Sequence, residues 1–242
     1  MALSFIHLRL FKRAQILTTF LYLGEWFFVW LKKKGAKNVK LMAVTNGCQE
    51  INELMKSIIQ IHPYVDFIQI REKQRSAGEL CQLGKRLINE GVPKEKLLMN
   101  DRMDVALLLQ LQQLHLPGNG LPLEQVNESY PHLNAGISIH NLEEALRAEK
   151  QGAAYMLYGH CFPTDSKKGK EPISLSSIRD IKRSVSIPLF VIGGIDEDRI
   201  EQVASYGADG AAVMSAIFAS SNPADAAKRL KERCAHVKNQ SH

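Results

Sequence analysis

From residue 39 onward, short apolar runs rich in Val, Ile and Phe alternate with longer segments whose apolar positions recur every three or four residues. The runs at 39–45, 67–71, 96–99, 113–116, 135–139, 155–158, 188–192 and 210–214 predict buried strands. The segments at 50–61, 76–90, 103–109, 122–129, 142–150, 174–183, 197–206 and 223–237 predict helices. Strands that follow one another in this way must run parallel, because each crossover is long enough to hold a helix that covers the outer face. Helix starts are marked: Ser76 opens a Ser-x-x-Glu capping box with Glu79, and Asn141 stands three residues before Glu144. Pro117-Gly118-Asn119-Gly120 falls where a strand hands over to a helix. An open doubly wound sheet is the alternative, but no GxGxxG follows the first strand. The pattern predicts an α/β fold, a (β/α)8 TIM barrel in one domain over residues 39–242.

Residues 1–38 break the pattern. Both tryptophans, Trp26 and Trp30, fall there, and the apolar stretch 14–31 is flanked by Arg13 and by Lys32, Lys33 and Lys34. A membrane anchor, an amphipathic surface helix and translated upstream sequence are the three readings. The stretch is short for a span and contains Glu25, which is costly at the centre of a bilayer. Lys34-Gly35-Ala36 can be encoded by a ribosome-binding sequence, and Val39 by a GTG start. The expectation is therefore an N-terminal extension outside the domain, upstream sequence rather than an anchor.

Charge changes the picture only once it is located. The formal net charge is +6, but seven Lys or Arg against one acid lie before residue 39, so the rest of the chain is neutral and gives no reason to expect a nucleic-acid partner. Cys48, Cys81, Cys161 and Cys234 form no CxxC pair, and the eight histidines show no HxH or HExxH spacing. With 45% hydrophobic residues the chain can build its core without disulfides, which points to reduced thiols, a cytoplasmic location and no transition-metal site.

In a (β/α)8 barrel the reacting groups sit at the carboxyl ends of the strands. Those positions hold Gln69, Arg71 and Lys73 (strand two), Asn100 and Asp101 (three), His115 (four), Ser138 and His140 (five), and His160 (six). They continue with Gly193-Gly194 (seven) and Met214-Ser215 (eight). Such a concentration of polar groups points to an enzyme. Gly193, Gly194, Met214 and Ser215 occupy the place where these barrels bind phosphate, since a glycine pair lets backbone N–H groups approach an anion. Thr164, Ser166 and Lys167 follow strand six and can bind anionic oxygens. Arg71 and Lys73 alternate with Glu72, so they can face one way, either towards an anion or in salt bridges at the barrel mouth. His115 and His140 read as hydrogen-bonded structural residues. His160 directly follows Gly159 at a strand end and can take and return a proton near neutrality.

Several segments resemble the thiamin phosphate synthase superfamily: Val65 through Lys73, Met99-Asn100-Asp101-Arg102, Gly136-Ile137-Ser138-Ile139-His140, Phe162 through Lys167, Ile192-Gly193-Gly194-Ile195 and Gly207-Ala208-Asp209-Gly210. The resemblance implies the barrel fold, a role in thiamin metabolism and a small phosphorylated thiazole as substrate. Two branches share it. The synthase joins a hydroxymethylpyrimidine pyrophosphate to a thiazole phosphate with Mg2+, held partly by the acid of an HLGQxD-like motif. Here that motif reads His115-Leu116-Pro117-Gly118-Asn119-Gly120, with Gly120 in place of the acid and Asp101 as the remaining metal ligand. Where the synthase has Gly-Pro, this chain has Gly159-His160, which is similar to the TenI-type thiazole tautomerase and maps its catalytic histidine onto His160.

The expectation is accordingly a thiazole tautomerase without metal or cofactor. His160 is the catalytic base, the substrate is bound by Arg71, Lys73, Asn100, Ser138, Thr164, Ser166 and Lys167, and the phosphate by Gly193, Gly194, Met214 and Ser215. Mg2+ at Asp101 belongs to the synthase alternative. A non-catalytic binder of thiazole or thiamin phosphates is the third reading. Neither nucleic acid nor membrane is expected as a partner, and a homo-oligomer is left open.

Overall fold

The computed structural model describes residues 39–164, 167, 169 and 171–237. The expectation for residues 1–38 lies outside them, as does that for Ser166. Among the described residues, no helix is long and apolar enough to cross a membrane.

Eight parallel strands close into a barrel in sequence order: β1 Lys40–Val44, β2 Phe67–Ile70, β3 Leu97–Asn100, β4 Gln113–Leu116, β5 Asn134–Ile139, β6 Met156–Gly159, β7 Leu189–Ile192 and β8 Gly210–Val213. The closing pair sets Lys40 beside Gly210 and Ala43 beside Val213. Helices α1 Ile51–Ile61, α2 Ala77–Asn89, α3 Met103–Leu109, α4 Leu123–Ser129, α5 Leu142–Lys150, α6 Leu175–Ser184 and α7 Arg199–Ser205 follow the first seven strands. After β8 come a short α8, Ser215–Phe218, and then α9, Pro223–His236. The predicted barrel is the observed one.

Strand residues alternate between two faces, as a period of two requires. In β7, Leu189 and Val191 join the layer between strands and helices, while Phe190 joins the separate cluster inside the barrel. There Phe190 meets Phe67 and Tyr155 edge to face, with ring centroids 5.8 and 5.7 Å apart. This packed cluster fills the barrel interior, as in a barrel whose site lies at the carboxyl ends of its strands.

The expected caps form. Ser76 Oγ accepts from Glu79 N–H while the Glu79 carboxylate accepts from Ser76 N–H, and Asn141 Oδ1 accepts from Glu144 N–H. One boundary differs in a way that matters. The eighth strand, expected to run to residue 214, ends at Val213; Met214 leaves extended geometry (φ −121, ψ −78) and Ser215 begins α8. A hydrophobic run read along the chain does not show that turn, because Met214 and Ala216 suit either conformation.

Candidate active site

A cavity of about 1060 Å³ opens at the carboxyl ends of the strands. Arg71 and Lys73 line it from the end of β2, Asn100 from β3 and Ser138 from β5. His160, Thr164 and Lys167 line it from the segment after β6, Gly193 and Gly194 from β7, and Met214 and Ser215 from β8. Every described residue singled out in the sequence for catalysis or for binding substrate or phosphate therefore faces one cavity. Asp101 is exposed and sits beside Asn100 in left-handed backbone (φ 65).

The cations are aimed by local hydrogen bonds. Thr45, fully buried at the end of β1, accepts from Arg71 N–H at 2.8 Å and pins the end of β2. Glu72 turns into the protein, accepting from Gly47 N–H at 3.1 Å and pairing with Arg75 at 3.3 Å. The alternation leaves Arg71 and Lys73 on the cavity side, as expected. Gln69, buried on β2, donates through Nε2 to Asn100 Oδ1 at 2.9 Å, which leaves the Asn100 amide nitrogen as a donor. The Gln69 carbonyl oxygen is buried with no hydrogen bond. Gln69 therefore lines the site, although the sequence assigned it no contact with substrate.

His115 adds to this wall from β4, although its ring is almost wholly enclosed. It is fully buried on β4, with Nδ1 3.0 Å from the Tyr155 hydroxyl and Nε2 2.8 Å from Ser138 Oγ. Burial, reinforced by the Arg71 cation, pushes its pKa down to about 3. The unfolded chain takes up this proton below about pH 6.5, but the native state does not until about pH 3, so this histidine lowers stability as pH falls through that window. Urea unfolding is expected to lose about 1.4 kcal/mol per pH unit from this source between pH 6 and pH 4. His115→Gln should flatten the slope, and an unchanged slope would assign the loss to other groups. His140, by contrast, is exposed and pairs with Glu144 through Nδ1 at 3.2 Å. Cys161, next to His160, is buried with its thiol pushed up to about 12 by that burial, which removes a thiolate nucleophile from the site.

The glycine pair has a packing role that the sequence did not reveal. Gly193 and Gly194 both have positive φ (105 and 65). A Cβ on Gly193 would stand 2.3 Å from His160 Cβ, and one on Gly194 would stand 2.8 Å from the Pro163 carbonyl oxygen. The segment after β6 lies across them, with Cys161 N–H and Phe162 N–H donating to the Ile192 and Gly193 carbonyls. Arg199 clasps the pair from α7, donating to the Gly194 carbonyl and lying 4.7 Å over the Phe162 ring.

Comparison with known proteins bears on the chemistry. The family model described as thiamine monophosphate synthase matches residues 41–217. The thiamine-phosphate synthase of Pyrococcus abyssi is 35% identical over 198 residues, covering 81% of this chain and 95% of its own. That of Desulfitobacterium hafniense is 41% identical over 174 residues, covering 69% and 83%. Among solved structures, thiamine phosphate pyrophosphorylase from Pyrococcus furiosus superposes with a TM-score of 0.73 at 33% identity, covering 83% of this chain and 98% of that one.

These relatives overturn the expectation of a tautomerase, and with it an isomerase with His160 as the base for aromatisation. That reading gave Gly159-His160 and Gly120 more weight than Gln69, Lys73, Asp101, Thr164, Ser166 and Lys167, which all look synthase-like.

Proposed function

The chain belongs to the thiamine monophosphate synthase family, and we propose that it is itself a thiamine-phosphate synthase: a transferase joining a hydroxymethylpyrimidine diphosphate to a thiazole phosphate. The observation that carries this reading is the 35–41% identity to synthases across most of the domain. In the reaction the thiazole nitrogen lone pair forms a C–N bond to the pyrimidine methylene carbon. The C–O bond to diphosphate breaks, and its electron pair leaves on the diphosphate oxygen.

The cavity suits two anionic substrates. Arg71, Lys73 and Lys167, with the Thr164 hydroxyl, are assigned to the diphosphate, where their charge meets negative charge that grows as the bond breaks. Backbone groups of Gly193, Gly194, Met214 and Ser215 are assigned to the thiazole phosphate, in the loops after strands seven and eight. The Gln69–Asn100 amide pair offers a donor and an acceptor to a flat heteroaromatic ring. Holding both substrates in one cavity turns the bond-forming step into an intramolecular one. Small phosphorylated metabolites as substrates fit a cytoplasmic enzyme.

The family implies Mg2+. Asp101 supplies a carboxylate next to Asn100 of the cavity wall, and a Cβ at Gly120, which lines the cavity, would lie 3.1 Å from Asp101 Oδ1, so the missing acid of the motif would have stood beside it. Among the described residues no cluster of three or more His, Cys, Asp or Glu could hold a metal by itself. Mg2+ needs only one or two protein carboxylates and completes its shell with phosphate oxygens and water, so Asp101 with a substrate diphosphate fits the smaller form of such a site. When bound, Mg2+ would supply charge neutralisation of the departing diphosphate.

Incubating purified protein with both substrates and Mg2+, and detecting thiamin phosphate by oxidation to its fluorescent thiochrome, tests the proposal. Product that requires both substrates is the expected result. No product, at enzyme concentrations that allow a single turnover to be seen, would overturn it.

A further inference from the structure

Three side chains form a hydrogen-bonded file from the barrel interior to the cavity wall. Tyr155, fully buried just before β6, lies 3.0 Å from His115 Nδ1; His115 Nε2 lies 2.8 Å from Ser138 Oγ; and Ser138 lines the cavity. The file depends on Gly136, since a Cβ there would stand 2.1 Å from the Tyr155 ring. The missing side chain leaves the ring room to bring its hydroxyl to His115.

Hydrogen-bond bookkeeping along this file decides where each proton lies. The Tyr155 phenol is buried, and a buried hydroxyl proton requires an acceptor. Among the described residues, His115 Nδ1 is the one hydrogen-bond partner of that hydroxyl. If Nδ1 carried a proton, it would donate to the phenol oxygen and strand the phenol's own proton, at a cost of about 1–3 kcal/mol. Tyr155 therefore donates to a bare Nδ1. The neutral imidazole then carries its proton on Nε2, which donates to Ser138 Oγ. With Oγ accepting from His115, the serine proton has no use within the file and is left for the cavity.

We propose that Tyr155 and His115 are positioning residues that fix Ser138 as a hydrogen-bond donor to an acceptor atom of the pyrimidine diphosphate substrate. The reverse tautomer would turn the Ser138 proton back onto His115 and present only lone pairs to the substrate. Tyr155, which the cavity does not expose, thus sets the polarity of a group on its wall.

The substrate named here rests on the synthase reading, but the tautomer is read without any substrate. In a two-bond proton–nitrogen correlation spectrum of wild-type protein, His115 should show a protonated Nε2 and a bare Nδ1. A protonated Nδ1 would overturn the proposal whatever the enzyme's activity, while failure of turnover alone would overturn only the synthase reading. In the assay, Tyr155→Phe should lower kcat/KM about tenfold or more, and Ser138→Ala at least as much. Because Tyr155 acts through Ser138, the double variant should be no worse than Ser138→Ala alone. Multiplicative losses would mean that Tyr155 serves only the barrel core.

Discussion

Excess chelator is expected to abolish thiamin phosphate formation, and Mg2+ to restore it. The reason lies in the charge count at the rim. A departing diphosphate carries several negative charges, and under the proposed function Asp101, next to Asn100 of the cavity wall, would hold a divalent ion that the lysines and arginine cannot replace. Asp101→Asn removes that charge while tolerating the left-handed backbone, since asparagine adopts positive φ readily. Its kcat should fall by on the order of 10²–10³, similar to the loss of one strong electrostatic contact in other active sites. The residue is exposed, so the unfolding midpoint should hardly move. Gly120 adds a distinguishing expectation: with one carboxylate, the protein should bind Mn2+ weakly alone and more tightly once pyrophosphate is present. This can be read by paramagnetic relaxation of water protons. Undiminished turnover by Asp101→Asn, or by wild type in excess chelator, would remove the metal from the reaction.

Gly193→Ala should be severely damaging to the site. Its Cβ would enter the space of His160 Cβ and lie 2.7 Å from His160 Cα, and backbone at that distance cannot rotate away as a long side chain can. Alanine at a φ of 105 is strained in addition. Overpacking and backbone strain together should cost about 2–5 kcal/mol. For a domain of this size that corresponds to roughly 5–15 °C in Tm. The variant should also bind thiazole phosphate less well, because β7 and the segment after β6 must separate to admit the methyl. An unchanged Tm would show that the loop relaxes freely and that the glycine serves the ligand alone.

The contrast between Gly193 and His115 shows how far local pattern reaches. Gly193-Gly194 was legible as a turn at the cavity, because its place after the seventh strand follows from counting units. That its missing Cβ faces His160 was not legible, since that contact joins residues 33 positions apart across β6 and β7. His115 was read as structural, and it is buried and satisfied. What it does for Ser138 was hidden, because its partners lie 23 and 40 residues away on different strands. The error about the reaction had a similar origin. His160 does line the cavity, but one residue type at one strand end carried too much weight against a wall assembled from all eight strands.

The sequence by itself determined the number and order of the β/α units, the closed barrel and the face on which chemistry-bearing residues gather. Those properties follow from periods of 2 and 3.6 residues, caps and turn residues, which act between near neighbours in the chain. Tertiary structure alone decided which side of Gly193 is filled, where Asp101 lies relative to Gly120, and how Tyr155, His115 and Ser138 share their protons. Those depend on register and side-chain direction across the barrel, where contacts form between residues that the chain separates widely and only closure of the sheet brings together.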